Sequence, residues 1–241
     1  MKKNQPTRSI TPVSFESLEN RQLLSSTAVA TTTSLTLSSR KTELGAPITI
    51  KATVSSSAGI PKGGTVELLL DNKTSGLTGT LNHLGYYTFT LDAADALYVG
   101  TTNFRIRFLS EGNFTGSLSR SLADKISPPA KFTTSSDGLE LANVVATKGA
   151  APATGDMVTV EYTGYNIANG QLFDDSKKDG QDFTFTIGAN EVVTGFEEEV
   201  KAMKVGETDV AILPESIAYP TGSSSSLAGD TLVFIVKLLS V

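Results

Sequence analysis

The 241-residue sequence has no cysteine and a single histidine, His83. Without thiols there is no disulfide framework and no thiolate metal site, and the redox compartment leaves no mark on the chain. One imidazole alone builds neither a metal cluster nor a catalytic triad; among Asn82, Leu84 and Gly85 it reads as a solvated turn residue. No apolar run approaches the roughly 20 residues that a membrane-spanning helix requires. Positive charge is scarce in the second half: residues 1–130 hold 13 Lys and Arg against 9 Asp and Glu, residues 131–241 hold 7 against 16, so a net charge of −5 divides into +4 and −9. An acidic C-terminal half is ill suited to neutralising phosphates, which argues against nucleic acid as a partner.

What is present fits a folded chain: 39% hydrophobic and 19% charged residues, with length enough for two compact units. Residues 1–30 read as a disordered tail concerned with targeting. Lys2-Lys3 and Ala28-Val-Ala30 look like the flanks of a secretory signal, yet the apolar centre is replaced by Phe15-Glu-Ser-Leu18-Glu-Asn-Arg21-Gln-Leu23-Leu24. That string resembles the Leu-Glu-Pro-Arg-x-Leu-Leu element at the start of large exported bacterial proteins, with Asn20 where Pro stands. The resemblance implies export to the periplasm or cell surface; the residues alone are equally those of a tail with one amphipathic turn.

From Thr31 to Ser127 short runs alternate apolar and polar residues: Ser34–Leu37, Ile48–Val54, Thr65–Leu70, Tyr87–Leu91, Phe104–Phe108 and Leu118–Leu122. Turn chemistry separates them, as at Asp71-Asn72 and Gly112-Asn113. About seven strands in roughly 100 residues predict an all-β sandwich over 31–127. Gly45-Ala-Pro47-Ile-Thr49, Pro61-Lys-Gly-Gly-Thr65-Val66 and Gly112-Asn113-Phe114 give this half a resemblance to bacterial Ig-like repeats, which implies a spacer or stalk without a site. Arg105 and Arg107, on alternate positions, read as the solvent face of a strand.

Pro128-Pro129 opens a linker, 128–132, expected to be extended and stiff and to separate two folding units. Beyond it, over 133–241, Thr134–Leu141 with Val144–Gly149, Met157–Tyr162, Phe183–Gly188, Thr208–Leu213 and Thr231–Leu239 read as strands, and Gly195–Met203 as the one helix. Phe196, Val200 and Met203 form its apolar side, and Glu197, Glu198 and Glu199 its first turn. The class is α+β, an antiparallel sheet wrapped over a short helix.

Several separately spaced blocks in this half carry a more specific resemblance: Val158-Thr-Val-Glu-Tyr162-Thr-Gly164, Gly170-Gln-Leu-Phe173-Asp174, Val192-Val193-Thr-Gly-Phe196 through Gly206, Ala218-Tyr219, and Thr231-Leu-Val-Phe234. In this order they resemble the FKBP-type peptidyl-prolyl cis/trans isomerases. Rotation about a prolyl amide faces a barrier of roughly 18–20 kcal/mol because the planar form is delocalised. Twisting leaves a less polar C–N unit, so a dry apolar pocket favours the twisted form by differential binding. Such chemistry needs no metal, cofactor or nucleophile. The resemblance implies a pocket with Tyr162 and Phe173 as one wall, Phe183 and Phe234 as another, Val192 and Val193 as rim, and Phe196 as floor. Tyr219 and the Val193 amide would be donors, and Asp174, held by Tyr162, would orient the amide. It also implies a proline-containing peptide or unfolded protein as substrate and a macrolide as possible inhibitor. Read without it, the same apolar residues are ordinary core, and Asp174-Asp175 a turn or cap pair. A calcium loop at Asp174–Gly180 is disfavoured by Lys178 at its fifth position and by the missing Glu at its twelfth.

The blocks also depart from the family. After Ala218-Tyr219 comes Pro220-Thr-Gly-Ser-Ser-Ser-Ser226-Leu227-Ala-Gly229 in place of an apolar flap, leaving Leu227 as the only lip and predicting a mobile loop. The family's Arg beyond Asp174 aligns near Asp179, leaving Lys177 or Lys178 as partners for Asp174. Phe196 replaces a larger Trp. The principal expectation is an isomerase serving exported proteins; the alternatives are a non-catalytic module that recognises proline-containing segments and a structural surface protein.

Overall fold

The computed structural model describes residues 27–92, 95 and 97–241. The export-like element at Phe15–Leu24 lies outside them. Among the described residues the chain forms two β-rich domains with mainly antiparallel sheets and one short helix.

Nine strands make the first domain: β1 (Thr31–Leu37), β2 (Lys41–Glu43), β3 (Ile48–Ser56), β4 (Thr65–Leu70), β5 (Lys73–Thr80), β6 (Tyr86–Leu91), β7 (Gly100–Phe108), β8 (Ser117–Leu118) and β9 (Leu122–Ser127). One sheet has the order β1-β3-β6 and the other β2-β9-β7-β4-β5, with β8 beside β7. The period-two pattern is explicit in β3, where Ile48, Ile50, Ala52 and Val54 are buried and face the other sheet's Val66, Leu68, Phe104, Ile106 and Phe108 in one cluster. Pairing already reaches Val29, which bridges to Phe114 in parallel.

Two expectations change here. The Leu118–Leu122 run is divided between β8 and β9, because Ser119 turns inward: its N–H donates to the Ile106 carbonyl and its hydroxyl oxygen accepts from the Ile106 N–H. The strand β5 is so polar that alternation alone misses it. It is set by the turn before it, where Asp71 and Asn72 both take positive φ, 48° and 65°, as a two-residue hairpin requires.

The second domain contains β10 (Thr133–Thr134), β11 (Glu140–Val145), β12 (Met157–Asn166), β13 (Leu172–Asp175), a 3-10 turn at Ser176–Asp179, β14 (Phe183–Thr186), α1 (Thr194–Ala202), β15 (Thr208–Leu213), a second 3-10 turn at Glu215–Ile217, and β16 (Leu232–Ser240). The sheet order is β10-β11-β15-β16-β12-β13, with β14 also paired to β12, and every pairing is antiparallel. The helix begins one residue before the expected Gly195 and stops short of Met203, which is its fully buried C-cap.

Both faces of this sheet are apolar. Ala211, Leu213, Leu232, Phe234, Val236 and Leu238 pack with α1 residues Phe196 and Val200. Their neighbours Val210, Val233 and Ile235, with Tyr165 of β12, join the first domain's cluster. The prolines therefore do not hold two units apart. Pro129 is buried, Phe132 packs onto the shared cluster, and the Ala130 N–H donates to Glu43 at 2.5 Å.

Candidate functional site

The inner face of the sheet is not filled everywhere. Between β12, β13, β14, the N-terminal end of α1 and the start of β16 lies an open hollow of about 230 Å³, lined by Tyr162, Phe173, Asp174, Phe183, Glu191, Val192, Val193, Phe196, Tyr219 and Phe234. Alternation along β12 and β16 aims Tyr162 and Phe234 toward the helix, and α1 brings Phe196 beneath them. Phe196 and Phe234 are 4% and 7% exposed, so they form the base, while Tyr162, Phe173 and Phe183 are half-buried walls. The rings meet edge to face: Phe196 and Phe234 at 5.0 Å and 70°, Tyr162 and Phe196 at 5.4 Å and 73°, Phe173 and Phe234 at 5.6 Å and 86°. Such contacts are favourable beyond area burial and hold the walls in place.

Gly164 explains the end of the Tyr162-Thr-Gly block. A Cβ there would lie 2.6 Å from the Phe173 ring and 3.0 Å from that of Phe234. The glycine lets both rings lie against the β12 backbone, and any side chain would push them into the hollow.

Polar groups are few and sit at the mouth. The Tyr162 hydroxyl donates to Asp174 at 2.7 Å, and the Asp175 N–H donates to the other Asp174 oxygen at 3.1 Å. Burial, and then the bonded Asp174 carboxylate, push the Tyr162 phenol well above its ordinary pKa, so it remains a protonated donor. Val193 is the N-cap of α1, with an extended backbone (φ −65°, ψ 148°), and its carbonyl accepts from the Phe196 and Glu197 amides. Its own N–H precedes the helical ladder. Tyr219 lies at the far side, its carbonyl accepting the Gly229 N–H at 2.9 Å.

The structure thus places nine of the ten expected residues on one hollow. The tenth, Leu227, packs against the same cluster but lines a neighbouring depression with Phe173, Asn166 and Asp230. Asp175 belongs to β13, where it precedes the 3-10 turn without a side-chain cap bond. Glu191 was not anticipated: its carboxylate accepts the Thr186 N–H at 2.9 Å and fixes the segment leading into the rim. A carboxylate directly before Val192-Val193 was the available signal.

Two further expectations are corrected. Lys177 does not pair with Asp174; its ammonium lies 3.5 Å from Asp92 and 3.4 Å from Asp95 of the first domain. The Lys178 side chain lies outside the described residues. The Gly/Ser loop after Tyr219 is not a free flap but is drawn into turns. Ser223 N–H bonds Pro220, Ala228 N–H bonds Ser225, and Glu215 accepts from both the N–H and the hydroxyl of Thr221.

Beneath the hollow, Glu199 on the buried side of α1 is fully enclosed, and among the described residues neither carboxyl oxygen has a hydrogen-bond partner. Burial and then the charge of Asp209 push it well above the usual carboxylate range. Asp209 is itself pushed up to about 6 by burial, partly offset by its bond to Asn143.

Residues 148–239 match the family model described as FKBP-type peptidyl-prolyl cis-trans isomerase. FK506-binding protein 1 of Dictyostelium discoideum is 37% identical over 105 residues, covering 43% of this chain and 97% of that protein. A probable FK506-binding protein of Corynebacterium glutamicum is 35% identical over 105 residues, covering 43% of this chain and 87% of its own length. Outer membrane protein MIP of Legionella longbeachae is 36% identical over 106 residues, covering 43% of this chain and 44% of that protein.

Proposed function

The chain belongs to the FKBP-type peptidyl-prolyl cis-trans isomerase family, and we propose that it performs this isomerisation in the hollow between Tyr162, Val193 and Phe234. The observation that carries the assignment of the site is the aromatic box closed at its mouth by the 2.7 Å Tyr162–Asp174 bond. A proline ring enters against Phe196, with Phe173, Phe183 and Phe234 around it. Water is displaced from the amide, the planar dipole loses solvation, and the less polar twisted form gains relative to it. The Tyr219 hydroxyl and the Val193 N–H donate to the substrate's carbonyls. Asp174, kept in place by Tyr162, sets the orientation of the turning carbonyl. Val192 closes the rim, and Leu227 borders the path of the flanking residues. No bond is made or broken, so preorganised shape supplies the rate.

The relatives named as FK506-binding proteins support the inference that a macrolide fills the same hollow. The residues at 31–127 we read as an Ig-like sandwich, on its two facing sheets and hairpin turns. Export, with action on unfolded or partly folded chains at the periplasm or surface, is proposed from the N-terminal string and from the outer-membrane relative. Among the described residues no helix is long and apolar enough to cross a membrane. The test is a protease-coupled assay on a short X-Pro peptide, with FK506 titrated against the same sample. Acceleration that FK506 abolishes is the expected result; FK506 binding without acceleration would mean a non-catalytic recognition module.

A further inference from the structure

The strand that carries Phe173 and Asp174 has a short ladder, supplemented within its own domain by the Tyr162 hydroxyl bond to Asp174 and by the Tyr162 N–H bond to Ser176 Oγ at 3.0 Å. β13 has four residues, lies at the end of its sheet, and among the described residues pairs only with β12, through a register with an irregularity between Gly164 and Tyr165. A short edge strand is free to shift unless something outside the ladder fixes it. Here both of its ends meet described residues that lie between β6 and β7 of the first domain, Asp92, Asp95, Leu97 and Tyr98. At the entry, the ring of Tyr98 packs against Gly170, where a Cβ would stand 3.1 Å from it, and stacks on Tyr165 at 4.6 Å. The Tyr165 hydroxyl donates to the Leu97 carbonyl at 3.2 Å. At the exit, Lys177 reaches Asp92 and Asp95. The Asp95 carboxylate is held by a reciprocal turn, in which the Asp92 N–H donates to it at 2.7 Å and the Asp95 N–H donates to the Asp92 carbonyl at 3.1 Å; the Asp92 carboxylate is shared with Lys237, whose ammonium lies closer to it, at 3.0 Å. Asp95 is only 9% exposed in its side chain, so its attraction for Lys177 is screened less than that of a surface pair.

We propose that the first domain is a working part of the isomerase site: Asp95 is a positioning residue that acts through Lys177 to hold the strand bearing Phe173 and Asp174, with Asp92 shared between Lys177 and Lys237. A stalk would need no such contact at both ends of one pocket wall. A shift of about 1 Å in that wall is enough to cost catalysis heavily when rate depends on fit.

The inference rests on the isomerase reading for its kinetic readout, and the experiment keeps the two apart. In the full chain, Lys177→Met and Asp95→Asn are compared with the native protein for kcat/KM on an X-Pro peptide and for FK506 affinity, with melting curves taken alongside. Expected are a three- to tenfold fall in kcat/KM, on the order of the coupling seen between residues of one network, and a parallel loss of FK506 affinity. Lys177→Arg should keep most of both. Raising NaCl from about 0.05 M to about 1 M should slow the native protein toward the Lys177→Met level and leave that variant indifferent. Folded variants with native kcat/KM and native FK506 affinity, differing only in melting temperature, would overturn the proposal. A native chain without turnover would overturn the isomerase reading instead, and the FK506 comparison would still decide this one.

Discussion

The two faces of the second domain's sheet carry the same kind of residue and do different things. On β16, Val233 and Ile235 point outward and vanish into a shared core with the first domain, whereas Leu232, Phe234 and Val236 point inward to α1. The outward contact is complete, with Tyr165, Val210, Val233 and Ile235 between 1% and 4% exposed. The inward one is interrupted near Phe234 by the open hollow. Apolar character alone therefore marks no site. What distinguishes the inner face is that aromatic rings stand on edge against one another around a space that no side chain among the described residues occupies.

Adjacent residues on one strand offer the sharpest way to break this comparison. Phe234→Ala should cost about 3–5 kcal/mol of stability and, by removing the part of the base touched by Phe173 and Phe196, lower kcat/KM of the folded fraction by ~100-fold. Ile235→Ala should also lose about 2–5 kcal/mol, but with kcat/KM within about twofold of native. Urea unfolding and the peptide assay on both variants check this; equal turnover in the two would show that the inner face is not special. Next in size, Gly164→Ala adds a methyl group where the Phe173 ring lies, and overpacking should cost about 1–3 kcal/mol. The loss should appear both in FK506 affinity measured by titration and in melting temperature.

Glu199 sharpens the comparison in another way, because it is a charge-bearing residue in the packed part of the inner face. Its folded pKa, like that of Asp209, is raised, so between the ordinary carboxylate range and the raised value the folded state holds protons that the unfolded chain has released. Stability from these groups is fully present below the unfolded pKa of about 4. It falls as pH rises, through about 6 for Asp209 and through the raised value of Glu199. Glu199→Leu should raise stability at neutral pH by about 1–3 kcal/mol and flatten the decline, as followed by urea midpoints across pH. A variant less stable than native would show that the carboxyl is satisfied. The smallest effect is expected from Tyr219→Phe: loss of one hydrogen bond of about 0.5–1.5 kcal/mol, seen as a several-fold drop in kcat without change in melting temperature.

Much of this was legible in the sequence, for identifiable reasons. The pocket residues occur as blocks whose neighbours are constrained as well, Gly164 by two rings and Val193 by the start of a helix. The α1 segment carries a helical apolar period, and the strands of the first domain alternate cleanly. The union of the domains was harder to see, because a continuous run such as Leu232-Val-Phe-Ile-Val236 shows that both faces are buried without showing against what. Lys177 was misassigned because its true partners, Asp92 and Asp95, lie more than 80 positions away. Strand β5 was missed because hairpin geometry rather than hydrophobic alternation specifies it, and the loop after Tyr219 because its composition conceals the bonds from Glu215 to Thr221.

The central claim is that an apolar enclosure, with no proton in flight, turns the prolyl bond. It is tested most directly by kcat/KM for an X-Pro peptide in H2O and in D2O, at equivalent pH and with the protein shown to be folded in both. The account predicts a ratio of about 1, and a ratio of ~2 or more would contradict it by revealing proton transfer in the rate-limiting step.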